Sequence, residues 1–114
     1  MFRLVREAAQ ILENYKIDVT ETHHVHKKDA PSGTALALAE VMESEIKKKI
    51  PIRSIREGEI VGEHTVAFAT AGERLEIKHV AFSRDAFAAG ALEAAKWAAR
   101  RKPGLYSMRD VLGG

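Results

Sequence analysis

Val5, Ala8, Ala9 and Leu12 recur at the i, i+3, i+4, i+7 spacing, with Phe2 and Ile11 beside them. That stripe predicts an amphipathic helix over residues 2 to 15, closing near Asn14. From Lys16 the period shortens to two. Ile17, Val19, Glu21 and His23 alternate with Asp18, Thr20, Thr22 and His24, a β-branched strand pattern that puts His23 and His24 on opposite faces if it extends that far. Helical spacing returns at Ala35, Leu38, Ala39, Met42 and Ile46, predicting a second helix to about Lys49. Pro31 disfavours helix at Ala30, and Ser32 is the N-cap candidate. Lys47, Lys48 and Lys49 suit the negative end of the helix dipole, and Pro51 stops it.

Residues 52 to 64 read as short strands broken by Gly58 and Gly62. The stretch HTVAFATAGERLEIKHVAF predicts two strands joined at Ala71-Gly72-Glu73. Its apolar positions pass from Leu75 and Ile77 to Val80 and Phe82, a parity change that predicts a bulge or twist near His79. A third helix follows, capped by Ser83 or Asp85 and ended by Arg100, Arg101 and Lys102 before Pro103-Gly104. Phe87, Ala91, Ala94, Ala95 and Ala98 give it a narrow packing face, and Ser107 starts a last short turn. The order is α-β-α-β(n)-α without repeats or linkers: one α+β domain over 1–114, a mixed sheet with helices on one face.

Composition narrows the function classes. At 114 residues and 46% hydrophobic the chain suffices for one domain with a core. Eighteen basic against sixteen acidic residues leave a net charge of +2, which makes no case for nucleic acid, and Tyr15, Trp97 and Tyr106 are too dispersed along the chain for a base-stacking platform. Without cysteine there is neither a disulfide framework nor a thiolate zinc site. No apolar run reaches the roughly 18 residues that span a bilayer, and no signal-peptide pattern is read, so the expectation is a cytoplasmic protein with no membrane partner.

The polar stretch HHVHKKDAPSGTA, residues 23 to 35, joins the end of the first strand to the start of the second helix. Helix N-termini carry free amide donors and positive potential, so Ser32, Gly33 and Thr34 form either a plain N-cap or a cradle for a carboxylate or phosphate. His23, His24 and Lys27 add positive charge and a group that exchanges protons near neutral pH, which favours the cradle. Asp29 either satisfies its own turn or holds a lysine. The adjacent lysines oppose a divalent cation, and a strand puts only His24 and His26 on one face, so no metal is expected. His64 and His79 fall on predicted strands, as structural or surface residues.

The stretch ETHHVHKKDAPSGTA closely resembles the signature of the dihydrodipicolinate reductase family, E-x-H-H-x-H-K-x-D-A-P-S-G-T-A. GEIVGEHTVAFATAGERLEIKHVAFSRDAFAAGAL and GLYSMRDVL are similar to the rest of that family's C-terminal region, so the resemblance covers nearly the whole chain. It implies a pyridine-nucleotide reductase of lysine and diaminopimelate synthesis acting on hydroxytetrahydrodipicolinate. It implies His23 as general acid or base, Lys27 as proton donor and charge partner, His24 as a substrate contact, and Gly33 and Thr34, with Ser32, as donors to a substrate carboxylate. Arg84 and Phe87 match positions near the nicotinamide end of the cofactor. Family members also carry a Rossmann domain with a glycine-rich dinucleotide turn, and no such unit is read in these residues. The chain therefore resembles the substrate-binding and tetramerisation domain alone. NADPH or NADH is expected in the full-length enzyme, with no tight cofactor binding by this part.

The resemblance also implies a homotetramer built on the open sheet faces. Val66, Phe68 and Ala71, or Ala67 and Ala69, suggest little polar character on either face of the hairpin, so an open face would need cover. The competing readings are a stand-alone dicarboxylate-binding module without redox chemistry and an oligomerisation module.

Overall fold

The computed structural model describes residues 1–113. The chain divides into two compact units, Met1–Ala81 and Phe82–Gly114. The first holds α1 (Phe2–Ile11), β1 (Lys16–His23), α2 (Gly33–Ile46), β2 (Ile52–Arg56), β3 (Gly62–Ala69) and β4 (Arg74–Ala81). The four strands form one sheet in the order β2-β1-β3-β4, with β1 and β2 parallel and the other pairs antiparallel. This is the expected α+β fold with a mixed sheet. Helix α2 is the crossover that a parallel pair requires.

Strand period two decides what the helices cover. Ile17, Val19 and Glu21 of β1 stand in register beside Phe68, Val66 and His64 of β3, and His23 continues the same face. The apolar members of that face join Val5 and Ala9 of α1 and Ala35, Leu38, Ala39 and Met42 of α2 in one buried cluster. Both predicted helical stripes thus point at the sheet. Each fully buried large side chain contributes roughly 1.5–3 kcal/mol, and Phe68 is the largest of them.

The differences from expectation have local causes. Helix α1 stops at Ile11, because residues 12 to 15 make the turn into β1, with the Tyr15 amide donating to the Leu12 carbonyl at 2.9 Å. Helix α2 stops at Ile46, where Lys47 turns left-handed with φ 55 and its ammonium caps the Ser44 carbonyl at 2.7 Å. The stretch after Pro51 holds one strand, β2, before Gly58 turns the chain at φ +50. No bulge interrupts the hairpin: pairing runs unbroken from Gly62↔Ala81 to Ala69↔Arg74. The parity change at its end arises because Ala81 takes the inner position and Phe82 lies beyond β4.

The other face of the sheet is not the apolar surface expected. Ile55, Ala67, Ala69 and Val80 share it with Asp18, Thr20, Thr22, Glu63, Thr65, Glu76 and Lys78, whose alternation with the core residues forces them there. The Lys78–Glu63 ion pair, at 3.0 Å, lies on this face.

The second unit holds α3 (Asp85–Ala98) and α4 (Met108–Val111). The Ser83 hydroxyl accepts the Asp85 amide at 3.0 Å as α3 begins, and Ser107 and Asp110 form a capping box for α4. Trp97 and Tyr106 are not dispersed in space: their rings meet edge to face at 5.1 Å, with Arg101 4.3 Å over the indole. No residue of α3 is buried, including those of its predicted packing face.

Candidate active site

The inner face of the sheet changes character along the strands. One end is the apolar core. At the other, toward the C-terminal end of β1, the same alternation delivers Glu21, His23 and His64, with Ser54 and Arg56 arriving from β2. The loop after β1 crosses this end and leads into Ser32 and α2.

Glu21 organises the cluster. Its side chain is fully buried, and its carboxylate takes two parallel bonds from Arg56, Nη1 to Oε2 and Nη2 to Oε1, each 2.9 Å. The Ser32 amide donates to Oε1 at 3.1 Å and His23 Nδ1 lies 2.5 Å from Oε2. Burial alone raises a carboxyl pKa, but the hydrogen bonds from Arg56 and His23 outweigh it and hold Glu21 down at about 2. Arg56 also reaches the Asp29 carbonyl at 2.6 Å, so one guanidinium ties β2, Glu21 and the loop together.

His64 is held differently. Its Nε2 is 3.1 Å from the Ser32 hydroxyl and its ring meets that of His23 edge-on at 5.1 Å. Burial, then the neighbouring His23, push its pKa down to about 4, which keeps it neutral at physiological pH.

These contacts locate each anticipated residue. His23 sits in the network through Nδ1. Ser32 is buried, its amide given to Glu21 and its hydroxyl shared between the Ala35 amide and His64, so both of its donors are engaged within the protein. Gly33 and Thr34 are exposed, and the space a Gly33 Cβ would enter is open. Lys27 lies in the loop with its ammonium 2.9 Å from Asp29, the lysine-holding role considered for that aspartate. His24 stands beside His26 at 5.9 Å between ring centres, with its Nδ1 buried and unpaired. His26 pairs with Glu59 at 3.1 Å. Among the described residues no cluster of His, Cys, Asp and Glu is arranged to hold a metal ion. Arg84 and Phe87 belong to the second unit, exposed at the start of α3.

The sequence alone gives Glu21, Arg56 and Gly62 no place in the site, and Gly62, expected to break a strand, instead opens β3. The signal for Glu21 was present: a carboxylate in phase with Ile17 and Val19 faces the core, and a buried charge needs a partner. Nothing in the local sequence indicates that the partner is Arg56, 35 residues away.

In this α+β unit an imidazole held against a buried carboxylate lies near the open N-terminus of a helix, an arrangement chemically able to exchange a proton and to accept an anion. Residues 1–112 match the family described as "Dihydrodipicolinate reductase, C-terminus". The chain belongs to this family, and it corresponds to the family's C-terminal region. A 4-hydroxy-tetrahydrodipicolinate reductase of Methanosarcina barkeri is 47% identical over 127 residues, covering 98% of this chain and 48% of that protein. One from Aquifex aeolicus is 44% identical, covering 99% and 49%. A solved dipicolinate-bound dihydrodipicolinate reductase from Paenisporosarcina sp. TG-14 superposes with a TM-score of 0.70 at 23% identity, covering 80% of this chain and 42% of that one; it shows the shared fold. The chain thus spans about half the length of the curated relatives it matches.

Proposed function

We propose that this chain supplies the substrate-holding and proton-transfer part of an NAD(P)H-dependent 4-hydroxy-tetrahydrodipicolinate reductase, and that alone it binds the dicarboxylate without turning it over. The observation that carries the reading is the Glu21 carboxylate, which binds the His23 ring with one oxygen and the Ser32 amide with the other. The imidazole and the start of α2 are thereby fixed to one anchor.

In this reading a ring carboxylate of the substrate lies against the amides of Gly33 and Thr34 and the Thr34 hydroxyl, where the positive end of the α2 dipole favours an anion. His24 adds a contact. The Lys27 ammonium lowers the energy of negative charge that develops as the conjugated ring is reduced, and His23 moves the proton that neutralises it.

The described residues do not fit a dinucleotide. No glycine-rich strand-to-helix turn offers its amides to a diphosphate, and Arg84 and Phe87 are two exposed side chains without a cradle. Nicotinamide binding, NADPH or NADH, is assigned to the remaining half of the full-length protein, with Arg84 and Phe87 near its reactive end. Assembly as a homotetramer is part of the same proposal and rests on the family likeness, since the outer face of the sheet is mostly polar. Sedimentation at micromolar concentration tests it, with a monomer as the contrary result.

The direct test titrates the chain with pyridine-2,6-dicarboxylate by NMR and assays it with both nicotinamides. Weak binding that perturbs the Gly33 and Thr34 amides, without turnover, is expected. Turnover by these 114 residues alone would refute the reading. Binding that stays unproductive after a relative's cofactor domain is joined upstream would favour the stand-alone binding module.

A further inference from the structure

We infer that Glu21 and Arg56 are positioning residues that dictate which nitrogen of His23 exchanges protons, and that Gly62 is required to keep that nitrogen open. The inference deepens the function proposed above and rests on it for the role of His23.

Glu21 faces donors on every side: both Arg56 nitrogens, the Ser32 amide and the His23 ring. An ionised carboxylate only accepts, so the shared proton at the His23 contact belongs to Nδ1. The hydrogen bond at one ring nitrogen sets the state of the other. In neutral His23, Nε2 is therefore the bare acceptor. In the cation, Nε2 carries the proton that can leave, while Nδ1 keeps its own against Glu21.

Arg56 makes this arrangement rigid. It stands in register opposite His23 across β1 and β2, yet its guanidinium reaches along the strand to clamp both oxygens of Glu21. A carboxylate held at both oxygens has little freedom to rotate away from the ring. His64, 5.1 Å away, takes its hydrogen bond from Ser32 and does not compete for Glu21.

Gly62 completes the device. A Cβ at this position would lie 3.2 Å from His23 Nε2, tighter than ordinary contact, and 3.4 Å from Cδ2. Its backbone lies outside the left-handed region, so the strand does not demand glycine there. Clearance at the exchanging nitrogen does. A methyl group would cover Nε2 and tilt the ring against its bond to Glu21.

Nitrogen-15 NMR of the histidine rings in the full chain, at a pH where His23 is neutral, tests this without ligand or turnover. The wild-type ring should show the proton on Nδ1 and a bare Nε2. Glu21→Gln should reverse this: an amide oxygen at the Oε1 position keeps the bonds from the Ser32 amide and Arg56 Nη2, which turns the NH2 group to Nδ1 and sends the ring proton to Nε2. Gly62→Ala should shift the His23 ring signals while the helical circular dichroism stays unchanged. A wild-type ring protonated on Nε2 overturns the inference whether or not Glu21→Gln folds, and so does a folded Glu21→Gln chain that keeps the wild-type tautomer. With a cofactor domain joined upstream, Glu21→Gln should lower turnover by about 10²-fold or more with the Michaelis constant nearly unchanged, the scale of a general acid–base contribution, and Glu21→Asp should restore part of it. If His23→Gln left turnover intact, the proposed function would fail while the tautomer result could still stand; the two failures are therefore distinguishable.

Discussion

The Ser32 hydroxyl and His64 Nε2 lie 3.1 Å apart, both within the buried end of the sheet. The Ala35 amide donates to the hydroxyl oxygen at 3.2 Å and cannot accept, so among the hydroxyl's two bonded partners only the His64 ring can take the Ser32 proton. His64 has to be neutral to accept it. The N-cap of α2 is thus coupled to the protonation state of a buried histidine on β3.

That coupling predicts a two-stage loss of stability on acidification. His64 is held at about 4 against an ordinary 6.5. Between those values the unfolded chain binds a proton that the folded chain refuses, so stability falls as pH drops through that window. Glu21 follows, held at about 2 against an ordinary 4.5, so its contribution is complete above 4.5 and is lost as pH falls toward 2. At 1.36 kcal/mol per unit the Glu21 shift amounts to about 3 kcal/mol. Thermal denaturation as a function of pH should show melting temperature declining already between pH 6.5 and 4.5, above the carboxylate range. His64→Gln should flatten that upper stage and leave the lower one. A wild-type melting temperature constant down to pH 4.5 would contradict the assignment.

The four phenylalanines give a sharp contrast in stability. Phe68 is fully buried on the inner face, whereas Phe82 is 89% exposed. Phe68→Ala should destabilise by about 3–5 kcal/mol, the transfer and cavity cost of a core aromatic. Phe82→Ala should fall within about 0.5 kcal/mol of wild type. Urea denaturation of the two variants measures both, and equal effects would show the core to be misplaced.

What was legible in the sequence followed from periodicity. The stripes of Val5 and Ala9, and of Ala35, Leu38, Ala39 and Met42, are local and became the buried faces of α1 and α2. The density of polar groups between β1 and α2 marked the loop, and the placement of Ser32 as N-cap follows from its side chain alone. Relationships across the sheet were not legible. Strand order β2-β1-β3-β4 brings Arg56 onto Glu21 and Gly62 beside His23, and neither contact leaves a local trace. The polar outer face is not legible from the apolar run Val66–Ala69 of β3, because most of its polar residues come from the neighbours: Asp18, Thr20 and Thr22 from β1, Glu76 and Lys78 from β4.

The ion pair between Lys27 and Asp29 predicts that the loop carries its own counter-charge. The ammonium beside it, opposed by partial desolvation, holds the Asp29 carboxyl below its ordinary range. Asp29→Asn removes that competitor and should strengthen binding of pyridine-2,6-dicarboxylate by a few fold at most, as befits a solvent-exposed pair. Calorimetric titration at low and high salt checks it, and the gain should shrink as salt screens the charge. Weaker binding by the variant would mean that Asp29 is needed to position Lys27.

The loop residues should separate by kinetic role once a cofactor domain is joined upstream. Thr34→Val removes one hydroxyl donor to a carboxylate but leaves the backbone amides and the α2 dipole, so it should raise the Michaelis constant, with a loss of about 1–3 kcal/mol for a hydrogen bond to a charged group. His23→Gln keeps much of the shape and can still bond Glu21, yet it cannot deliver a proton near neutral pH. Its effect should fall on turnover, by about 10²-fold or more. Lys27→Ala should impair both parameters, because the ammonium attracts the dicarboxylate and stabilises charge that develops during reduction. Steady-state kinetics on the three variants resolve these roles. If His23→Gln raised only the Michaelis constant, His23 would be a binding residue, the bond from Glu21 would serve orientation alone, and the proton donor would have to be Lys27.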